Sequence, residues 1–77
     1  MTLLACQIFS TIAHEGSFAR TAEQLHLTPS AISHAVSTME AECGFPLFTR
    51  TNSGVTMTAA AENLLPAIQR LLASSES

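Results

Sequence analysis

The chain has 77 residues with three arginines, no lysine and six acidic residues, which gives a formal net charge of -3. This length allows one small domain, and the 47% share of hydrophobic residues indicates a folded core and excludes a disordered chain. The acidic balance argues against strong non-specific attraction to nucleic acid, because DNA-binding domains usually carry an excess of positive charge. The sequence shows neither a leader with a basic flank nor an apolar run long enough to span a bilayer. We therefore expect a cytoplasmic chain with no membrane partner.

The first third of the chain has helical periodicity. A first helix from residue 2 to about residue 13 is predicted by a stripe of four apolar residues: Leu4, Ile8, Phe9 and Ile12. We expect Gly16 to end this helix in the left-handed conformation and Ser17 to cap the next one. An apolar repeat over Phe18–Leu25 then predicts a second, short helix with Phe18 in the core.

Residues 26–28 predict a turn into a third helix. We expect His26 at positive φ and Thr28 as the cap of a helix from Pro29 to about Cys43. The predicted helix has an apolar face of Ile32, Ala35, Val36, Met39 and Cys43. Its opposite face carries only short polar side chains: Ser30, Ser33, His34 and Ser37. Such a row suits close approach to the base edges of the DNA major groove, which admits a helix.

Two short extended runs follow the third helix, after Gly44 and Pro46. Residues 47–51 and 55–57 are joined by a turn of Asn52, Ser53 and Gly54, which predicts a small β-hairpin packed on the helices. Arg50 would lie beside the third helix. There it either contacts a phosphate or is only solvated, and the sequence leaves both readings open.

A last helix is predicted from residue 59 to about residue 74, with Thr58 as its cap. Pro66 predicts a bend in this helix and not a stop. A broad apolar stripe runs along it: Leu64, Leu65, Ile68, Leu71 and Leu72. We expect this stripe to pack against a partner helix from a second copy; the alternative is that it folds back on its own domain.

The sequence pattern offers no enzyme or metal chemistry. Cys6 and Cys43 lie on apolar helix faces, so we expect unpaired thiols. No pair of histidines or cysteines has the spacing of a metal site, and the chain has no Ser-His-acid or paired-carboxylate arrangement. We therefore expect no catalytic residue, no metal and no cofactor in this chain.

A set of residues at fixed spacings runs through most of the chain: Gly16-Ser17-Phe18, Ala22, Leu25, Thr28-Pro29-Ser30-Ala31-Ile32-Ser33, Met39-Glu40, Gly44, Leu47-Phe48, Arg50, Gly54, Thr58 and Ala60. This set resembles the N-terminal DNA-binding domain of LysR-type transcriptional regulators. The resemblance implies a mainly α fold, a winged helix-turn-helix with a three-helix core and a small β-hairpin wing, followed by a long linker helix.

The resemblance also implies a division of the chain. The winged helix-turn-helix would occupy residues 1–57, with the helix-turn-helix unit at about 18–37 and the wing at about 46–57. Residues 58–77 would form the linker helix, which dimerises antiparallel through the stripe described above. A C-terminal effector-binding domain would lie outside these 77 residues, so a small-molecule effector is expected for the full-length protein.

The expected DNA-binding residues lie at two helix starts, along the third helix and in the wing: Ser17, Thr28, Pro29, Ser30, Ser33, His34, Ser37, Arg50, Asn52, Ser53 and Gly54. Cys43 and Ala61 replace residues that are common in the family, and both are tolerable packing changes. Many relatives carry Arg, Lys or Gln in the segment where this chain has His34 and Ser37. Because the segment has no arginine, it cannot read guanine by the bidentate contact that arginine makes.

We therefore expect a sequence-specific DNA-binding transcription factor domain. It would read the major groove with the helix from Pro29 to about Cys43, as a homodimer on an inverted repeat in double-stranded DNA. The alternative is a winged-helix module for protein–protein interaction, which the acidic balance and the lack of lysine favour.

Overall fold

A computed structural model describes residues 2–76, apart from the side chains of residues 75 and 76. These residues form four helices and a two-stranded antiparallel sheet. In chain order the elements are α1 (Leu3–Glu15), α2 (Phe18–Leu25), α3 (Pro29–Cys43), β1 (Phe48–Thr51), β2 (Gly54–Met57) and α4 (Ala59–Glu76). The predicted fold class is confirmed. The predicted limit between the two parts falls between β2 and α4, and the division into two functional parts stays a prediction.

The helix ends are set by groups that satisfy free backbone N–H and C=O groups. The side-chain oxygens of Ser17 and Thr28 accept hydrogen bonds from the backbone N–H three residues later, at 3.2 and 3.1 Å, so both predicted caps are confirmed. α1 runs to Glu15, two residues beyond the predicted end. It continues that far because its last turn closes only at Gly16, which has φ 68° and donates its N–H to the carbonyl of Ile12.

The turn between α2 and α3 depends on a histidine in the left-handed conformation. His26 has φ 58°, as predicted, and its N–H donates to the carbonyls of Ala22 and Glu23. The N–H of Leu27 donates to the Ala22 carbonyl at 2.9 Å, and its side chain packs against the core. These bonds hold α3 at a fixed angle to α2, which is what a helix-turn-helix requires.

The core surrounds α1, which packs against α2, α3 and α4. The largest fully buried side chains come from α1, α2, α3 and the segment before β1: Phe9, Ile8, Ile12, Ile32, Met39, Leu47 and Thr21. The hydroxyl of buried Thr21 donates to the Ser17 carbonyl at 2.8 Å. The buried hydroxyl therefore has a hydrogen-bond partner, so its burial does not incur the free-energy cost of an unpaired donor.

The hairpin is confirmed, with Phe48 opposite Met57 and Thr51 opposite Gly54. Its strands differ from the prediction by one residue at two ends, because Leu47 precedes β1 and Gly54 begins β2. The N–H of Leu47 donates to the Glu40 carboxylate at 2.7 Å, and its carbonyl accepts from the Thr58 N–H at 3.0 Å. Both backbone groups are thus used outside the sheet.

The hairpin is also fastened to the helices at two other points. The N–H of Val55 donates to the carbonyl of Gly16 at 3.0 Å, which ties β2 to the α1–α2 connection. The hydroxyl of Thr58 donates to the Pro46 carbonyl at 2.8 Å and accepts from the Ala61 N–H at 3.2 Å. Thr58 is therefore the cap of α4, as predicted, and it also holds the start of the hairpin.

The apolar stripe of α4 is divided between the core and the surface. Ile68 belongs to the core at 2% exposure, whereas Leu71 is 58% exposed. Three further stripe residues are partly buried against the core: Leu64, Leu65 and Leu72. The stripe thus folds back on its own domain in large part, which was the alternative to packing on a second copy. Pro66 lies inside α4 and does not stop it, as predicted; the bend expected there stays a prediction.

The remaining structural expectations concern thiols, metals and membranes. Cys6 is buried and Cys43 partly buried, and both are free thiols. Within residues 2–76, no cluster of His, Cys, Asp or Glu side chains could hold a metal ion. The helices of this part of the chain include none with the length and apolarity needed to cross a bilayer.

Candidate nucleic-acid interface

α3 has the two faces that its sequence predicted. Ile32, Val36 and Met39 are buried in the core. The polar row on the other side is exposed: Ser30, Ser33, His34 and Ser37. A helix that is anchored by one face and presents short polar side chains on the other can enter a groove as a rigid unit.

A cleft of about 550 Å³ lies where the starts of α2 and α3 meet the hairpin. It brings together six of the predicted DNA-binding residues: Ser17, Pro29, Ser30, Ser33, Arg50 and Gly54. These residues come from three separate segments of the sequence. The hydrogen bond between Val55 and Gly16 closes the distance between two of those segments, because it holds β2 against the connection that precedes α2.

A second, smaller cleft of about 190 Å³ continues the surface along α3 and β1. Ser33 and Arg50 line it as well, together with Ser37 and the carboxylate-bearing Glu40. Arg50 therefore borders both clefts, and the exposed serines of α3 lie beside it. Apart from the Glu40 carboxylate, which accepts the Leu47 N–H, the combined surface offers neutral hydrogen-bonding groups around one guanidinium group, which suits hydrogen bonding to DNA more than acid–base catalysis.

Four predicted residues line neither of these two clefts. His34 is at the other edge of α3, where it lines a separate groove of about 280 Å³ between α1 and α3. Thr28 uses its side-chain oxygen to cap α3. Asn52 and Ser53 are exposed at the tip of the hairpin. The role in DNA binding of all eleven predicted residues stays a prediction.

Arg50 lies over an aromatic side chain. Its guanidinium carbon is 4.8 Å from the centre of the Phe18 ring. Phe18 was predicted to fill the core; it packs against the core but is only half-buried, with Arg50 over its ring. Phe48 and Arg50 are two residues apart on β1, so their side chains share a face; this alternation, which the prediction from sequence did not use, could have placed Arg50 beside an aromatic side chain.

Sequence reasoning also missed the role of Glu40. Its carboxylate accepts the Leu47 N–H and so links α3 to the start of the hairpin. The partners are seven residues apart, across the end of α3, so no helical or strand periodicity predicts the bond. Its consequence for the site is that α3 and the wing keep a fixed spacing.

This arrangement, a helix-turn-helix whose second helix lies beside a β-hairpin, defines a winged helix-turn-helix domain. Residues 3–62 match the family described as bacterial regulatory helix-turn-helix protein, lysR family. The chain belongs to this family of transcriptional regulators, and it is a DNA-binding domain and not an enzyme. The predicted family is therefore confirmed.

Individual relatives agree with this assignment. The HTH-type transcriptional regulator CfxR of Cupriavidus necator is 42% identical over 72 residues, which are 94% of this chain and 23% of CfxR. The crystal structure of the CbnR_DBD–DNA complex is similar with a TM-score of 0.93 at 28% identity, over 99% of this chain and 87% of that one. The structure of Corynebacterium glutamicum OxyR, as the H2O2-bound C206S mutant, is similar with a TM-score of 0.93 at 32% identity. The match covers 97% of this chain and 23% of the OxyR chain. The chain thus spans less than a quarter of the length of CfxR.

Proposed function

We propose that this domain binds double-stranded DNA sequence-specifically, with α3 in the major groove and the hairpin as a wing against the neighbouring backbone. The observation that carries the proposal is the cleft between α2, α3 and the hairpin, which gathers predicted DNA-binding residues from three segments. Its similarity to a domain whose structure was determined with DNA supports this use of the surface.

Different residues serve different parts of the DNA in this proposal. Ser33 and Ser37 are exposed on α3 and meet base edges, to which serine can donate or accept. Ser30 lies in the first turn of α3, whose free N–H groups and positive dipole favour a phosphate. Arg50 contacts the backbone beside them. His34 approaches DNA from the other edge of α3 through either ring nitrogen.

We further propose that two copies bind an inverted repeat, because most oligomeric DNA readers match a two-fold operator with their own symmetry. Exposed Leu71 supports this proposal, since 58% of its surface faces solvent on α4. The dimer contact would be narrower than the whole stripe, because Ile68 is already buried within its own domain. The remaining contact residues would be the partly exposed ones: Leu64, Leu65 and Leu72.

A small-molecule effector belongs to the proposal only for a longer protein. The similar OxyR chain, of which this domain matches 23%, is described as bound to H2O2. By analogy, a protein of that length containing this domain would bind its effector outside the winged helix-turn-helix and would act in the cytoplasm. No cofactor is proposed for the 77 residues themselves.

The test is selection of bound sequences from a random pool of duplex DNA, read at low and moderate salt. Enrichment of a dyad with two short half-sites is expected, because two recognition helices related by a two-fold axis read inverted sequences. A folded chain that enriches no sequence at either salt concentration would contradict the proposal. It would favour the second candidate, a protein-interaction module, for which the net charge of -3 is the supporting observation.

Binding to the selected site should depend only weakly on salt. Each chain has three arginines and no lysine. At about -0.9 per neutralised phosphate, the slope of log affinity against log salt should be no steeper than about -2.7 per chain. Fluorescence anisotropy titrations between about 50 and 200 mM salt measure this slope.

Two variants test which arginine neutralises a DNA phosphate. Arg50→Ala should make the salt slope shallower by about one unit per chain, since it removes the arginine that borders both clefts. Arg70→Ala, an exposed change on α4, is the matched control and should leave the slope nearly unchanged. A slope much steeper than the arginine count allows would show that other groups neutralise the phosphates.

A further inference from the structure

Arg50 has a long and flexible side chain, and in the structure this side chain nevertheless lies against one particular ring. It stands on an exposed stretch of β1, where solvent alone would leave it many rotamers. Instead the guanidinium lies over the ring of Phe18, with its carbon 4.8 Å from the ring centre. This distance is within the range in which a cation is attracted to an aromatic face.

The Phe18 ring is itself held in place. It meets the Phe48 ring nearly edge to face, with centroids 6.2 Å apart and planes at 87°. Phe48 in turn contacts Phe9, with centroids 5.4 Å apart, and Phe9 is fully buried in the core. Ser17 caps the helix that begins at Phe18. The support of Arg50 thus extends from the surface into the centre of the domain.

We propose that Phe18 is a positioning residue for DNA binding, which holds the Arg50 guanidinium in place before DNA arrives. A planar guanidinium can stack one face on a ring and still present its N–H edge for two parallel bonds to a phosphate. Phe18 and Arg50 border both clefts beside Ser33. The phosphate held by Arg50 is therefore the one next to the bases that α3 reads, and less side-chain freedom is lost on binding.

This inference rests on the proposed DNA binding and is tested by a double-mutant cycle on affinity for the selected site. Phe18→Leu removes the aromatic face but keeps an apolar side chain, and Arg50→Ala removes the cation. Phe18→Leu should weaken binding by about threefold to fivefold in the parent chain, which corresponds to an exposed cation–π contact. In the Arg50→Ala background the same change should have no further effect, because there is no guanidinium left to position.

Phe45→Leu is the matched control, since Phe45 is a 37% exposed phenylalanine outside the ring contacts that lead to Arg50. It should leave the affinity unchanged. Circular dichroism and thermal unfolding show whether each variant is folded at the binding temperature. An equal loss from Phe18→Leu in both backgrounds would mean that Phe18 acts only through the fold, and it would overturn the inference while DNA binding stands.

A measurement on the unmodified chain tests the inference even where Phe18→Leu fails to fold. The chain has only three arginines, so nitrogen-15 relaxation resolves three side-chain Nε–H groups. Arg50 should be more ordered than exposed Arg20 and Arg70, and its side-chain protons should be shifted by the ring. Equal mobility of all three arginines would overturn the positioning role, whereas absence of DNA binding by the parent chain would overturn the proposed function together with it.

Discussion

Gly54→Ala is expected to destabilise the domain by about 3 kcal/mol, because the new side chain would strain the backbone and would also clash with a neighbouring carbonyl group. Gly54 has φ 138°, a conformation that residues with a side chain rarely adopt, and a Cβ atom built there would overlap the carbonyl oxygen of Gly16. That oxygen accepts the Val55 N–H at 3.0 Å. The overlap cannot be relieved by rotating a side chain, so the hairpin must move away from the α1–α2 connection and lose this bond.

The consequence reaches the DNA-binding surface, since Gly54 and Arg50 line the same cleft. For a domain of this size, a loss of about 3 kcal/mol lowers the midpoint of thermal unfolding by roughly 12 °C or more. The expected result is therefore a large drop in the midpoint together with weaker DNA binding by the fraction that stays folded.

Gly44→Ala provides the matched control for this prediction. Gly44 also has a positive φ, 83°, but a Cβ atom there would meet no other atom within 4 Å. Only the cost of the left-handed conformation remains, which is about 1 kcal/mol. Denaturant unfolding of both variants separates the two contributions. Similar losses for Gly54→Ala and Gly44→Ala would mean that the close approach to Gly16 adds nothing to stability.

Ile68→Ala is expected to destabilise the domain by about 3 kcal/mol because it leaves a cavity in the core. Ile68 is only 2% exposed and lies on the face of α4 that packs against α1. The loss should appear in denaturant unfolding at every protein concentration. A small loss would contradict the packing of α4 on its own domain.

Leu71→Ala is the contrasting change on the same helix. Because Leu71 is 58% exposed, its truncation should change the stability of a single domain by no more than about 0.5 kcal/mol. If two copies associate through this part of α4, as proposed, Leu71→Ala should raise the dissociation constant of the dimer. Sedimentation experiments at several protein concentrations measure this constant. An unchanged dissociation constant would exclude Leu71 from the contact between copies.

Local features could be predicted where the interacting groups are close in the sequence. Thr28 and Thr58 each cap a helix through the N–H three residues later, so a short stretch of sequence contains both partners. The left-handed conformation of His26 was predictable for the same reason, since it follows from the turn between two helical repeats. The exposed row on α3 follows from helical periodicity alone.

Other features depend on groups that are distant in the sequence. The start of β1 could not be predicted, because the Leu47 N–H donates to Glu40 on α3 and the Leu47 carbonyl accepts from the Thr58 N–H. The contact of the Phe18 ring with Arg50 depends on the hairpin, which is distant from Phe18 in the sequence. In each case the local sequence pattern does not indicate which distant group will bond to or contact the residue.

The sequence by itself therefore determined the order of the elements, the helix caps and the polar face of α3, together with the family that this pattern defines. Only the tertiary structure decided which part of the α4 stripe is buried, with Ile68 in the core and Leu71 at the surface. It also decided that Arg50 lies over Phe18. The physical reason is that caps and periodicity are set within one or two helical turns, whereas burial and ring contacts depend on how separate elements pack around α1.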